Sequence, residues 1–141
     1  MRKEASDLNE LVDHAVSQLK PLVADKRQTL DVNLEPMFSI EVDGLMIQEV
    51  ILNLIENAVK YTPNDGKISV QTNEVDDKVI FSVKDSGPGI PKEDQQHIFE
   101  KFFRGQASLS QIKGTGLGLF LVKYFIELHG GEVFLESEMN K

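Results

Sequence analysis

Apolar residues recur along two stretches of the chain with the spacing of an amphipathic helix. The first runs from Asp7 to about Lys26, with Asp7 placed to cap its first turn. The second, Gly44–Tyr61, has a wide apolar stripe and is followed by Pro63, which ends it. Both stretches are therefore predicted to be helices that pack one face against a core.

Shorter stretches alternate apolar and polar residues, as strands with one buried face do. Thr29–Leu34 and Phe38–Val42 precede the second helix. Lys67–Thr72 and Lys78–Lys84 follow it, separated by the turn-like pair Asp76-Asp77. The last two stretches are predicted to form an antiparallel hairpin.

Beyond the hairpin, glycine-rich turns separate the apolar stretches. Residues 92–103 predict a short helix, and the polar loop 105–113 has no periodicity, so residues from about 92 to 113 form a candidate lid. A third helix is predicted from about Thr115 to His129, where two glycines follow. Glu132–Ser137 is a last candidate strand.

Helices and strands are interspersed, and the central hairpin argues against an all-parallel sheet. The pattern predicts a single domain over residues 1–141 with both helices and strands, an α/β chain in the broad sense and an α+β two-layer sandwich in detail. Its sheet would be mixed and mostly antiparallel, with three main helices on one face.

The composition is that of a globular domain, with 40% hydrophobic and 27% charged residues. The absence of cysteine excludes disulfides, thiolate nucleophiles and cysteine-ligated zinc. No apolar run approaches the roughly 18 residues of a spanning helix, so we expect a cytoplasmic domain without membrane contact. The net charge of −8 argues against nucleic-acid binding, which needs a surplus of Lys and Arg.

One segment departs from this acidic balance. The residues from Lys101 through Lys123 include no Asp or Glu, four basic side chains, and glycines at 114, 116 and 118. The basic residues are Lys101, Arg104, Lys113 and Lys123. An anion could lie there without repulsion.

Three polar residues share one ridge of the second helix. At about 100 degrees per residue, Asn53, Asn57 and Lys60 fall together at the edge of the apolar stripe. Amide oxygens and an ammonium group suit a magnesium-bound phosphate, because magnesium takes hard oxygen ligands. A solvated helix flank is the alternative interpretation.

Two glycine-rich segments carry further candidate chemistry. In DSGPGI (85–90), Asp85 could accept a hydrogen bond from an amino group, although a turn capped by the aspartate explains the same residues. GTGLGL (114–119) opens a helix, where exposed amides and the helix dipole favour an anion such as phosphate. It matches neither a Walker A loop nor a dinucleotide fingerprint.

Taken in order, four segments closely resemble the motifs of the ATP-binding domain of sensor histidine kinases. They correspond to its N box, first glycine box, F box and second glycine box, and the resemblance covers about residues 5–138. The segments are NLIENAVKYT (53–62), DSGPGI (85–90), IFEKFFRG (98–105) and GTGLGLFLVKYFIELHGG (114–131). The resemblance implies a Bergerat-type sandwich that binds ATP with Mg²⁺.

The resemblance also implies roles at the matching positions. Asn57 would hold the magnesium, and Asn53 would lie close to the same phosphates. Lys60 and Arg104 would contact phosphate oxygens, and Tyr61 would lie against adenine. Asn53, Lys60 and Arg104 are thereby the candidates for the catalytic set.

The two glycine boxes would complete the nucleotide site. Asp85 would accept a hydrogen bond from the exocyclic amino group of adenine. Three residues of the first box would shape the base pocket: Gly87, Gly89 and Ile90. The second box would wrap the phosphates: Gly114, Thr115, Gly116, Leu117, Gly118 and Leu119.

Asn53 argues for transfer over hydrolysis. In the related gyrase, Hsp90 and MutL ATPases the matching residue is a glutamate that activates water, and an amide cannot accept that proton. Glu49, one turn earlier, is expected to be a surface residue. The resemblance therefore implies a histidine nucleophile on a separate dimerisation domain, with a response regulator receiver domain downstream.

None of the three histidines in this chain has the sequence context of a phosphoacceptor. His14 and His97 lie outside any such motif, and His129 is explained as a partner of a helix C-terminus. The family continues past ESE (136–138) with a further strand, whereas this sequence ends at Lys141. We therefore expect a monomeric catalytic part of a sensor kinase that lacks the dimerisation domain.

Three alternatives remain open at this point. The first is a regulatory module that binds a nucleotide without transferring phosphate. The second is a self-sufficient ATPase, which Asn53 disfavours. The third is a kinase that acts on serine or threonine, since the site does not name its acceptor.

Overall fold

The computed structural model describes residues 1–76, 78–86 and 118–131. Three helices and five strands occur in this part of the chain, which confirms the predicted α+β class. In chain order they are β1 (Glu4–Ser6), α1 (Leu8–Asp25), β2 (Thr29–Leu34), β3 (Ile40–Val42), α2 (Gly44–Tyr61), β4 (Lys67–Val75), β5 (Lys78–Asp85) and α3 (Gly118–Leu128).

Several predicted elements lie outside the described residues. They are the short helix at 92–103, the candidate lid at 92–113, the strand Glu132–Ser137 and the first residues of the third helix.

The main sheet has the strand order β2-β4-β5 and is mixed. β2 runs parallel to β4, with Thr29 opposite Lys67, and β4 pairs with β5 in antiparallel fashion. The hairpin closes with Val75 opposite Lys78, and Asp76 takes a left-handed φ of 51° in the turn. The predicted antiparallel hairpin is confirmed, and both of its strands are longer than the alternation alone indicated.

The strand predicted at Phe38–Val42 is wrong at its start, because β3 begins only at Ile40. Its partner in a separate two-stranded sheet is β1, a three-residue strand that the sequence pattern did not predict. Only three residues of β3 can therefore pair, and Phe38 remains outside the sheet with 84% of its surface exposed.

The helices begin where side-chain caps are available. Asp7 Oδ1 accepts hydrogen bonds from the amides of Asn9 (3.0 Å) and Glu10 (3.3 Å), which confirms the predicted cap of α1. Asp43 caps α2 in the same way, through the amides of Leu45 (3.1 Å) and Met46 (3.2 Å).

The core lies between the helices and one face of the main sheet. Ile51 and Ile55 of α2 are fully buried, as are Ile68 and Val70, which alternate with exposed positions along β4. On α3, Val122 is completely buried. Each such aliphatic side chain contributes roughly 1.5–3 kcal/mol on leaving water. The helix that carries the predicted N box is therefore held by packing against α1 and α3 as well as against the sheet. Among the described residues, no helix has the length and apolar character needed to span a membrane.

Candidate functional site

The C-terminal half of α2 presents the predicted ridge. Asn53, Asn57 and Lys60 are all partly buried. The Asn53 side chain donates to the backbone oxygen of Glu49 (2.8 Å) and lies 3.4 Å from its carboxylate. Lys60 Nζ forms an ion pair with Glu56 at 2.9 Å, whereas the Asn57 amide has no hydrogen-bond partner within the described residues. Among the described residues, Asn57 is therefore the member of the ridge whose side chain has no bonded partner.

The last turn of α2 is held by two side chains from the linker between α1 and β2. Lys26 Nζ donates to the carbonyl oxygens of Val59 (2.7 Å) and Lys60 (3.1 Å). Gln28 Nε2 donates to those of Val59 (3.0 Å) and Thr62 (2.8 Å). The final carbonyls of a helix have no partner within the helix, so these four bonds replace a local cap.

The same linker is bonded to the turn that follows α2. Asp65 donates its backbone N–H to the carbonyl of Lys26 (2.9 Å), and the Arg27 guanidinium lies 3.3 Å from the Asp65 carboxylate. Arg27 and Asp65 both have left-handed backbones, with φ of 53° and 68°. Such conformations cost non-glycine residues roughly 1–2 kcal/mol each, so surrounding contacts must hold them in place.

Gly66 lies where the end of α2 comes close to the end of β5. A Cβ on Gly66 would overlap the Thr62 side chain and lie 2.9 Å from the carbonyl oxygen of Pro63 and 3.1 Å from Ser86 Oγ. Ser86 in turn accepts from the Lys67 amide (2.9 Å) and donates its own amide to the Lys67 carbonyl (3.0 Å). Thr62, which follows Tyr61, and Ser86, which follows Asp85, therefore both lie close to Gly66.

Asp85 is the last residue of β5, opposite Ile68, and its side chain is exposed. Tyr61 is the last residue of α2 and is half-buried. The ends of both elements meet at the same edge of the sheet through the Gly66 junction. Tyr61 and Asp85 are the two predicted adenine contacts that the structure describes, and both lie near this junction.

Within the described ranges, two buried polar atoms in this neighbourhood have no hydrogen-bond partner. They are Oε1 of Gln28 and Oγ1 of Thr62, whose residues are 8% and 0% exposed. Unpaired buried polar atoms are rare in native proteins. The polar contacts beneath the end of α2 are therefore incompletely paired.

α3 packs along α2 in the opposite direction. The Nε2 atom of His129, just after α3, accepts the backbone N–H of Asp43 at the start of α2 (3.0 Å). Eleven helical residues cover about 16 Å, so Gly118 and Leu119 lie toward the half of α2 that carries Asn53 and Asn57. Of the predicted second glycine box (114–119), these two residues are the ones that the structure describes.

His129 has a double role. Its Nδ1 lies 2.7 Å from the carbonyl of Phe125 in the last turn of α3, which agrees with the predicted interaction at this helix end. In its second bond, Nε2 accepts the backbone N–H of Asp43, so this arrangement suits the tautomer that donates from Nδ1. The residue therefore also fastens α3 to α2, which the sequence pattern did not indicate.

Two charged groups near the ends of α2 have shifted pKa values. Burial lowers the pKa of the Lys26 ammonium. The hydrogen bond from the Arg2 amide, with further bonds from Met46 and Leu45, lowers the pKa of the Asp43 carboxyl despite a small opposing effect of desolvation.

The remaining predicted site residues lie outside the described part of the chain. They are Gly87, Gly89, Ile90, Arg104, Gly114, Thr115, Gly116 and Leu117. Within the described ranges, no three acidic or histidine side chains cluster as a metal site would require. Asn57 nevertheless fits magnesium, because Mg²⁺ is commonly held by one or two protein oxygens together with phosphates and waters.

Comparison with known proteins identifies the family of the chain. Residues 42–141 match the family described as histidine kinase-, DNA gyrase B-, and HSP90-like ATPase. The chain therefore belongs to this family. The sensor protein KdpD of Escherichia coli is 35% identical over 134 residues, which are 94% of this chain and 14% of KdpD.

Solved structures narrow the class further. The nucleotide-free catalytic domain of the histidine kinase ThkA is 31% identical, with a TM-score of 0.86 over 99% of this chain and 92% of that one. ThkA in complex with the response regulator protein TrrA is 28% identical, with a TM-score of 0.75 over 92% of this chain and 36% of that one. Within its family, the chain is thus an ATP-binding catalytic domain of the histidine kinase type.

Proposed function

We propose that this domain binds Mg²⁺-ATP and transfers the γ-phosphoryl group to a histidine on a separate dimerisation domain of a two-component sensor kinase. The observation that carries the proposal is the junction at Gly66, where the end of α2 meets the end of β5. It supports a site in which adenine contacts and phosphate contacts come from adjacent elements.

Each described residue then has a distinct task. The Asp85 carboxylate accepts a hydrogen bond from the adenine amino group, and Tyr61 lies against the base. Lys60 contacts phosphate oxygens after leaving Glu56, its partner at 2.9 Å. The Asn57 amide oxygen, which has no partner within the described residues, holds Mg²⁺, which when bound supplies charge neutralisation for the phosphates.

The residues outside the described part complete the proposed site. Arg104 and the second glycine box, Gly114–Leu119, contact the phosphates beneath a lid formed by residues from about 92 to 113. Gly87, Gly89 and Ile90 shape the base pocket. All of them belong, in this proposal, to one catalytic domain spanning residues 1–141.

Transfer is favoured over hydrolysis by the chemistry of Asn53. Its amide cannot accept a proton from water, and its Nδ2 is engaged by the Glu49 backbone at 2.8 Å. The nucleophile therefore comes from outside, as a histidine on the dimerisation domain. The ThkA complex with TrrA supports a response regulator as the next partner.

The test is a transfer reaction in trans. The chain is mixed with radiolabelled Mg²⁺-ATP and a panel of separately supplied dimerisation domains from related sensor kinases. We expect acid-labile, base-stable label on the added domain's histidine and none on this chain. Asn57→Ala should abolish labelling, whereas Asn33→Ala, an exposed asparagine on β2, should leave it unchanged.

Binding of ATP without label on any added domain would contradict transfer and favour the regulatory module. Failure to bind ATP would contradict the nucleotide site itself. Label on serine or threonine of an added domain would support the nucleotide site but contradict histidine as the acceptor.

One observation favours a second candidate, an ATPase. The Glu49 carboxylate is exposed, as predicted, but one of its oxygens lies 3.4 Å from Asn53 Nδ2 and so borders the proposed phosphate site. A carboxylate at this position could accept a proton from water. Steady ATP turnover by the isolated chain, abolished by Glu49→Gln and retained in Glu10→Gln, would establish hydrolysis as its activity.

A further inference from the structure

The C-terminus of α2 is an unfavourable place for an anion. The last carbonyls of a helix carry a partial negative charge equivalent to about half an electron. The proposed phosphate contacts Asn57 and Lys60 lie in the final two turns of this helix. Some feature of the site must therefore offset the field of the helix end.

Lys60 itself does not offset this field in the structure. Its ammonium is paired with Glu56 at 2.9 Å, so the two charges cancel. Arg27, in the adjoining linker, is likewise paired with Asp65 at 3.3 Å. Both nearby cations are therefore compensated by carboxylates.

Lys26 differs from these two cations. Its ammonium lies 2.7 Å from the Val59 carbonyl oxygen and 3.1 Å from that of Lys60, and it makes no ion pair within the described residues. Burial lowers its pKa, because partial loss of solvent disfavours the charged ammonium. It is the cation at this helix end whose charge no described carboxylate cancels.

We propose that Lys26 is a positioning residue that neutralises the end of α2 and thereby raises the affinity of the site for nucleotides in proportion to their phosphate charge. Lys26 contacts the carbonyls of the last turn and need not contact the nucleotide. The inference rests on the proposed nucleotide-binding function and deepens it.

Gln28 separates this electrostatic role from a structural one. It donates to the carbonyls of Val59 and Thr62 but carries no charge. A loss of bonding alone would weaken all ligands equally, whereas a loss of charge would weaken ATP most and adenosine least. A series of adenosine, AMP, ADP and ATP therefore distinguishes the two effects.

The experiment compares Lys26→Gln, which keeps a donor and removes the charge, with Lys26→Arg, which keeps the charge. The matched control is Lys20→Gln, an exposed lysine on α1. For Lys26→Gln we expect ATP binding about two- to fivefold weaker, the range for one charge at a helix end, a smaller loss for ADP, and unchanged adenosine binding. The loss of ATP affinity in Lys26→Gln should become smaller as the salt concentration is raised.

Lys26→Arg should restore the ATP preference, and circular dichroism should show that each variant is folded. If Lys26→Gln does not fold, the ratio of ATP affinity to adenosine affinity is compared between Lys26→Arg and Gln28→Leu. If only Gln28→Leu lowers this ratio, the inference is overturned. Equal losses across the ligand series, or equal behaviour of Lys26→Gln and Lys20→Gln, would also overturn it. Absence of ATP binding by the unmodified chain would instead overturn the proposed function.

Discussion

The two ends of α2 are held in different ways. At the N-terminal end, Asp43 bonds two amides of its own helix, its second oxygen accepts the Arg2 amide (2.9 Å), and its backbone N–H reaches His129. At the C-terminal end no local cap is used. Lys26 and Gln28, more than thirty residues earlier in the chain, donate four hydrogen bonds to the last carbonyls.

The two ends differ in how completely their polar atoms are hydrogen-bonded. Each described hydrogen bond at Asp43 is 2.9–3.2 Å long. At the C-terminal end, Gln28 Oε1 and Thr62 Oγ1 are buried without partners among the described residues. Natural proteins depart from full local consistency mainly at functional sites. We therefore propose a structural task for the first end and a ligand-related task for the second.

The largest expected effect concerns Asp85, at the end of β5 and close to the C-terminal end of α2. Asp85→Asn turns a carboxylate acceptor into an amide that can direct a donor toward adenine. Loss of a charge-assisted hydrogen bond to a buried base should cost about 1.5–3 kcal/mol, or roughly ten- to 150-fold in affinity. Calorimetric titration with ADP measures it, and Asp31→Asn, an exposed aspartate on β2, is the control.

Unchanged ADP affinity in Asp85→Asn would remove Asp85 from the adenine site. Guanine nucleotides, which lack the amino group at that position, should bind poorly even to the unmodified protein.

The second prediction tests the hydrogen bonds that Gln28 donates at the end of α2. Gln28→Leu removes the described donor to the Thr62 carbonyl, whereas the Val59 carbonyl keeps its bond from Lys26. An unpaired buried acceptor costs about 1–3 kcal/mol, partly offset here because the unpaired Oε1 is removed as well. Denaturant unfolding should show this loss, whereas Gln18→Leu on the exposed face of α1 should change stability little. Equal stability of the two variants would mean that the end of α2 does not depend on Gln28.

Sequence patterns predicted the elements better than their connections. α2 and the hairpin follow from apolar periods of 3.6 and 2, because one buried face dictates both. The ridge of Asn53, Asn57 and Lys60 follows from helix geometry alone. β1 was missed because three residues are too few to show alternation.

The contacts of Lys26 and Gln28 could not be predicted in this way. A lysine and a glutamine after a helix are typical of a solvated end, and their acceptors are backbone atoms, which carry no sequence signal. Gly66 did offer a signal, since the run Pro63–Gly66 has the composition of a tight turn. The contact between this turn and Ser86 depends on strand register, which only the folded chain defines.

The third prediction weakens the structural end. Asp43→Ala removes the cap of α2 and should lower the melting temperature by a few degrees without a specific effect on nucleotide binding. Asp43→Asn keeps an acceptor and should lose less. Reduced ATP affinity at a temperature where Asp43→Ala is fully folded would contradict the separation of tasks between the two ends.

The fourth prediction uses the pH dependence of the same residue. Because the folded pKa of Asp43 lies below its ordinary value of 3.8, its charge stabilises the fold above that value, and the contribution is lost as the pH falls through the folded pKa. The stability difference between the unmodified chain and Asp43→Asn should therefore be constant near neutral pH and shrink in acid. Thermal unfolding at stepped pH measures it. A difference that grew in acid would mean that the Asp43 carboxyl is destabilising in the folded state.

The smallest expected effect concerns the ion pair between Glu56 and Lys60 near the C-terminal end of α2. Glu56 holds Lys60 at 2.9 Å, and ATP must compete with this carboxylate for the ammonium. Pairs four residues apart on an exposed helix contribute about 0.2–0.5 kcal/mol, so Glu56→Gln should strengthen ATP binding by about 1.4- to 2.3-fold. Adenosine binding should not change, because it presents no phosphate to Lys60. Glu10→Gln, an exposed residue on α1, controls for the general loss of negative charge. An equal gain in both variants would assign the effect to net charge and leave Lys60 without a specific part in phosphate binding.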